Sequence, residues 1–178
     1  ADANVARFRY TGLEFDMDVL ADSIVSAVQN DDYSVITAKG VIPDDLKNKT
    51  RLIASWTSSF ANHDSWGRVW NVAKLSGIIN GVVIQPGETW SINAEAGPRT
   101  LSGGWKEAPG LLDGGTTQQA GGGVCQISST TYNAAIRAGL DIVESKHHSI
   151  SSDYIPLGLD ATISSGGPDL KIKNPYDS

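Results

Sequence analysis

Residues 120–135 read AGGGVCQISSTTYNAA, and the architecture turns on how this stretch is parsed. Three glycines close a loop and a helix-like segment follows, which predicts a loop-to-helix junction at Cys125. Glycines 121–123 admit backbone conformations closed to other residues and let a second backbone approach closely. A helix starting near Gln126 sets Cys125 among N–H groups that lack partners within the helix. Those groups and the helix dipole favour negative charge, which predicts a lowered thiol pKa and a place where an oxyanion is stabilised. Ser128, Ser129, Thr130 and Thr131 are poor interior helix residues but good capping residues, in keeping with a helix start here. Cys125 is the sole cysteine, so no intrachain disulfide is available. Two readings of the thiol stay open: a nucleophile, or a small buried hydrophobe, the common fate of a free cysteine.

Upstream of the junction, residues 97–123 hold nine of the 19 glycines without a clear period and read as one long loop, a length that points to function. Before it, TRLIASWTSSF alternates like a strand, WGRVWNVAKLSGIING reads as a helix ending at Asn80-Gly81, and VVIQPGETWSIN reads as two strands around a Pro-Gly turn. Downstream, Gly139 is the expected helix stop, followed by short strands in LDIVE, HHSISSDYI, DATIS and DLKIKN. Together these predict an α+β fold, a mostly antiparallel sheet with the thiol at a helix N-terminus. Residues 1–45 read differently: a strand, a Thr11-Gly12 turn, a helix with Leu20, Ile24 and Val28 on one face, and a second strand. They form a small N-terminal α/β appendage with a linker, and residues 46–178 form the main domain.

Of the 178 residues 40% are hydrophobic and 19% charged, the composition of a folded domain, and no apolar run reaches the roughly 18 residues needed to span a bilayer. A net charge of -6, with no basic stripe, excludes a chain built to grip nucleic acid. One Cys and an adjacent His pair do not make a metal-ligand set, and the glycines lack the spacing of a phosphate-binding loop. No metal and no cofactor are expected. The start, ADANVARFRY, has neither an initiator Met nor a signal-peptide pattern and reads as a piece of a longer chain.

A thiol nucleophile needs a base, and the base needs an orienting partner. Of three histidines, His63 sits in a turn-like segment, while His147 and His148 follow the cysteine by 22 and 23 residues. Strand alternation sends these two to opposite faces, so one of them faces the thiol, with a slight preference for His148. Asp160 is a candidate to fix the imidazole tautomer, with an ordinary strand-end carboxylate as the alternative. Arg99 in GPRT is either a bidentate clamp for a substrate carboxylate or a loop-bracing arginine. Tyr154 and Trp105 are either groove walls or core.

The stretch GGGVCQISSTTYNAAIRAGLDIVE, with HHSISSDYIPLGLDATI after it and INGVVIQPGETWSINAEAGPRT before it, closely resembles the VanW domain family from about Thr50 to Asn174. Residues 4–45 are similar to the end of a peptidoglycan-binding module that often precedes such domains. The resemblance implies an extracytoplasmic protein of Gram-positive type, membrane-anchored in full length and acting at the cell wall on peptidoglycan stem peptides; a monomer is expected. Some relatives look like L,D-transpeptidases whose nucleophile is the cysteine of the Gly-Gly-Gly-Val-Cys-Gln motif, here Cys125. The family's His-Ser pair, Tyr and Gly-x-Asp-Ala map onto His148-Ser149, Tyr154 and Gly158-Leu159-Asp160-Ala161, which implies His148 as base and Asp160 as its orienter. The Cys125 and Gln126 N–H groups, with the Gln126 side chain, are then the candidate oxyanion hole, and Gly123, Arg99, Ser149, Tyr154 and His147 complete the substrate-facing set. A wall hydrolase using water as acceptor, or a non-catalytic binding module with a buried thiol, are the alternatives. Trp90 stands where relatives commonly carry Phe, and the chain stops at NPYDS where they usually continue, so a missing edge strand is expected.

Overall fold

The computed structural model describes residues 5–7, 26, 52–59, 65–112, 115–150, 152 and 154–177. The expected helix over Leu20, Ile24 and Val28, the boundary at residue 45 and His63 lie outside them. Ten elements have defined bounds: β1 (Val5–Arg7), β2 (Thr57–Ser59), α1 (Trp66–Ile79), β3 (Thr89–Ser91), α2 (Ile92–Ala96), β4 (Glu107–Leu112), β5 (Gly115–Ala120), α3 (Val124–Arg137), β6 (Asp141–Glu144) and β7 (Lys171–Lys173). The fold is α+β, and among the described residues every strand pairing is antiparallel: β1 with β2, β4 with β5, and a three-stranded sheet in the order β3-β7-β6.

Helix α1 starts where the Ser65 hydroxyl accepts the Arg68 N–H at 3.3 Å and ends at Asn80, with Gly81 taking φ 78°. Its buried Val72, Leu75 and Ile79 share one core with Val124, Ile127 and Ala135 of α3. The sheet closes this core from below with Trp90 opposite Ile172, and Ile142 opposite Ile172 on the other edge. Leu75, Ile92, Ile127, Leu170 and Ile172 are completely buried. Burial of each stabilises the fold by roughly 1.5–3 kcal/mol, so the α1–α3–sheet sandwich is a rigid base.

Where the glycine-rich stretch predicts loop, residues 107–112 and 115–120 form an antiparallel strand pair of six registers, Glu107 opposite Ala120 through Leu112 opposite Gly115. Pro109 and Gly110 disguise β4; Gly110 pairs with Thr117 and lies under the Gln119 side chain, whose amide would have to move for a Cβ to fit. Among the described residues neither HHSISSDYI nor DATIS contains the expected strand. These two segments are joined instead by the Thr162 N–H to the Lys146 carbonyl at 2.7 Å and by the side chain of Asp160. Only the second half of VVIQPGETWSIN is a strand, and the five-residue helix α2 after it, capped by Ser91 on the Ala94 N–H at 3.0 Å, is not anticipated. Among the described residues no helix is long and apolar enough to cross a membrane.

Candidate active site

Gly121 (φ 82°) and Gly123 (φ 98°) adopt left-handed backbone at the end of β5, and α3 begins at Val124. Gly122 lies so close to the Ala108 carbonyl that no Cβ fits. Asn71 of α1 holds this turn in place, its amide donating to the Lys106 and Gly122 carbonyls at 2.8 and 3.0 Å and accepting the Lys106 N–H at 2.9 Å. The glycine run thus lets a helix, a hairpin and a helix start converge, with Cys125 in the first turn of α3.

The Ser/Thr run after Cys125 does not cap the helix. It is completely buried in the middle of α3 and grips the segment that carries Asp160. Ser128 Oγ donates to the Ala161 carbonyl, Ser129 Oγ accepts the Ala161 N–H at 2.9 Å, and Asn133 Nδ2 donates to the Leu159 carbonyl at 2.6 Å. Most buried hydroxyls and amides are hydrogen-bonded, and here their partners are the backbone on both sides of Asp160. One helix therefore sets both the thiol and the carboxylate.

Asp160 in turn holds the histidine pair. Its Oδ2 accepts the His148 N–H at 2.6 Å and faces His148 Nδ1 at 2.7 Å. Its Oδ1 faces His147 Nδ1 at 3.2 Å, and its own carbonyl lies 2.8 Å from that same nitrogen. The two rings differ in exposure: the His147 side chain is 54% exposed, that of His148 7%. Burial pushes the Asp160 carboxyl up, but the bonds from the His148 N–H and ring outweigh it and leave the carboxyl below its ordinary value. An ionised Asp160 on Nδ1 selects the Nδ1–H tautomer and leaves His148 Nε2 as the basic nitrogen.

Cys125 and His148 line one cleft of about 1170 Å³, together with Arg68, Arg99, Tyr154, glycines 121–123 and the edge of the β4–β5 hairpin. The thiol lies 3.5 Å from the Ile163 carbonyl, to which it donates. Burial pushes its pKa up, against the pull of the Arg99 and Arg68 cations. The lowered pKa expected of a helix start is thus overturned, because desolvation of the thiolate exceeds the help of dipole and cations. Tyr154 is pushed up to about 12, above all by burial, so its phenol stays protonated. Native Cys125 is therefore expected to react with iodoacetamide at about pH 7 more slowly than it does in the unfolded chain, and to gain rate as pH rises beyond the ordinary thiol range. Equal rates in native and denaturing buffer, followed by intact mass, would contradict a neutral, desolvated resting thiol.

The family model described as VanW like protein matches residues 67–178, from the first turn of α1 onward. The chain belongs to the VanW family. The Bacillus subtilis protein YoaR is 41% identical over 119 residues, 67% of this chain and 39% of YoaR. The vancomycin B-type resistance protein VanW of Enterococcus faecalis is 32% identical over 116 residues, 62% of this chain and 42% of the relative. The chain spans about two fifths of the length of these curated relatives. No solved structure gave a significant match.

Within this VanW domain the remaining sequence-predicted residues separate. Gly123, Arg99 and Tyr154 line the cleft, whereas Ser149 is exposed and not part of its lining. The Gln126 side chain is buried and faces away from an oxyanion position: it accepts Arg68 Nη2 at 2.7 Å and donates to Ser58 Oγ at 3.2 Å and the Ser59 carbonyl at 2.8 Å. Its N–H is taken by the Gly123 carbonyl at 3.0 Å. Trp105 is 2% exposed and belongs to the core. Two contributors escape sequence reasoning. Arg68 brings a second cation to the thiol and lies 5.5 Å over the Tyr154 ring, and Asn71 clamps the glycine turn; both are ordinary helix residues whose only signal is the structure. Among the described residues no group of three or more His, Cys, Asp or Glu side chains is placed to hold a metal ion.

Proposed function

We propose that this VanW domain is a cysteine-dependent L,D-transpeptidase of the cell wall, joining peptidoglycan stem peptides through their third residues. The observation that carries the reading is the shared cleft of Cys125 and His148, with His148 Nδ1 bound by Asp160 at 2.7 Å. This is a nucleophile, a base that lines the same cleft, and an orienting carboxylate. The wall setting follows from the family resemblance, and the vancomycin-resistance name of the Enterococcus faecalis relative is consistent with it.

In the first step His148 Nε2 takes the thiol proton, and the sulfur attacks the carbonyl between the third residue and the terminal D-Ala. The Cys125 N–H is the backbone donor assigned to the oxyanion, since the Gln126 N–H is already engaged. Collapse breaks the C–N bond; the D-Ala amine takes the proton from His148 and leaves a thioester on Cys125. In the second step the side-chain amine of another stem attacks the thioester, His148 accepts its proton, and that proton returns to sulfur as the new amide forms. A raised resting pKa suits this order, because the proton is removed only when a base and an electrophile are both present.

Incubation of wild type and Cys125→Ala with disaccharide-tetrapeptide muropeptides is expected to give crosslinked dimers and a transient adduct, heavier by the acyl group, on wild type alone. Tripeptides without dimers would assign the domain to hydrolysis instead. No turnover at all, with a thiol inert to alkylation up to alkaline pH, would leave a binding module.

A further inference from the structure

Arg99 is 9% exposed, yet it lines the cleft that holds Cys125. Its backbone N–H donates to Ser165 Oγ at 2.9 Å and its Nη1 to the Gly97 carbonyl at 3.1 Å, so both ends of the residue are fixed. Gly121 packs on its stem, where an added Cβ would stand 2.7 Å from Arg99 Cγ. Nη2 is buried with no hydrogen-bond partner. Native structures seldom keep a buried guanidinium N–H without an acceptor, and an unpaired Nη2 on a residue that lines the cleft marks the place of one.

Among the described residues no carboxylate supplies the acceptor. Asp169, which acts electrostatically on Arg99, has both oxygens committed: Oδ2 accepts Ser91 Oγ at 2.5 Å, and Oδ1 accepts the Asn93 and Leu170 N–H groups at 3.0 and 2.8 Å. Arg68, the other cation of the cleft, spends Nη2 on Gln126 and stacks over Tyr154. Arg99 is thus the cation whose geometry is built for an outside anion. A guanidinium takes a carboxylate through two parallel N–H bonds and holds it in one plane.

We propose that Arg99 is the anchor for the free carboxylate of the residue that departs from the acyl donor. The inference rests on the transpeptidase reading for the identity of that donor. In a stem ending one residue beyond the attacked carbonyl, the terminal carboxylate follows within one residue length, about 3.8 Å between successive Cα atoms. Arg99 and Cys125 interact electrostatically across the same cleft, so one short segment can meet both. Capture of the carboxylate by Arg99 then registers the scissile carbonyl against the sulfur, and Arg99 acts as a specificity residue for donors that end there.

The test is calorimetric binding to the full chain carrying Cys125→Ala, using two synthetic tetrapeptide stems that differ only in a C-terminal carboxylic acid or a primary amide. The acid is expected to bind about tenfold or more tightly than the amide, and the difference is expected to vanish in Cys125→Ala with Arg99→Gln. Equal affinities for acid and amide overturn the anchor and leave the transpeptidase reading to its own product assay. Absence of binding by either peptide at millimolar concentration also overturns the anchor, and the product assay then decides whether the transpeptidase reading falls with it. The acid–amide comparison keeps the native Arg99 and remains decisive if Arg99→Gln fails to fold.

Discussion

Replacing Asp160 with Asn is expected to slow formation of the Cys125 adduct by about 10³-fold or more, the scale seen when the carboxylate that orients a catalytic imidazole is neutralised. The native carboxylate accepts two bonds from one residue, the His148 N–H and Nδ1, on the same oxygen. An Asn can keep its carbonyl oxygen there, so the backbone need not move, but it no longer carries the charge that stabilises a protonated His148. His147→Ala is the control. Its ring shares Asp160 but is mostly exposed, and its loss is expected to change the rate by less than about threefold if His148 alone is the base. Adduct formation by wild type, Asp160→Asn and His147→Ala, timed by intact mass, checks both statements. An Asn variant within about threefold of wild type would remove Asp160 from the mechanism. The same carboxyl leaves a mark on stability. Its folded pKa lies below the ordinary value, so its contribution is full above the unfolded-state value and is lost as pH falls through the folded one. The gap in melting temperature between wild type and Asp160→Asn is therefore expected to narrow on acidification through and below the carboxylate range.

The sequence reading reaches the junction and stops short of its supports, for physical reasons. The helix bearing Cys125 is legible because glycine before it and Gly139 after it punctuate the chain, and both take positive φ. Helix α1 is legible from its apolar period. The β4–β5 hairpin is not, because glycine and proline inside β4 read as loop, although Asp113-Gly114 between EAPGLL and GTTQQA is a hairpin dipeptide. The run from His147 to Asp160 fails differently. Its alternation suggests a strand, but the segment is held by the side chains of Asp160, Ser128, Ser129 and Asn133, which no periodicity reports. For that reason strand alternation is not what separates His147 from His148; exposure and the shared carboxylate are. The thiol pKa is also beyond sequence reach, since helix position and burial act in opposite directions and only the packing decides between them.

Asn71→Ala is expected to be the most destabilising single change outside the apolar core. Asn71 is completely buried, and its amide closes three bonds onto backbone at Lys106 and Gly122. After truncation the Lys106 carbonyl still accepts the Gly121 N–H at 3.0 Å, so the groups left without these partners are the Lys106 N–H and the Gly122 carbonyl. Two unsatisfied backbone groups, one at buried Gly122 and one at half-buried Lys106, cost about 3 kcal/mol together, which in a chain of this size lowers the melting temperature by roughly 6–12 °C. A thermal melt of wild type and Asn71→Ala reads the effect directly. A shift under about 2 °C would mean that water refills the space and bridges both groups. The structural consequence goes beyond stability, because Gly122 is where α1, the hairpin and the start of α3 meet. Loosening it frees the hairpin wall from the thiol, so Asn71→Ala is expected to speed alkylation of Cys125 at neutral pH even as it slows turnover. A core cavity mutation of equal thermal cost, such as Leu75→Ala, weakens the α1–α3 packing without opening those bonds and is expected to leave the alkylation rate nearer to wild type. The contrast between the two variants separates a clamp on the active-site turn from general loss of stability.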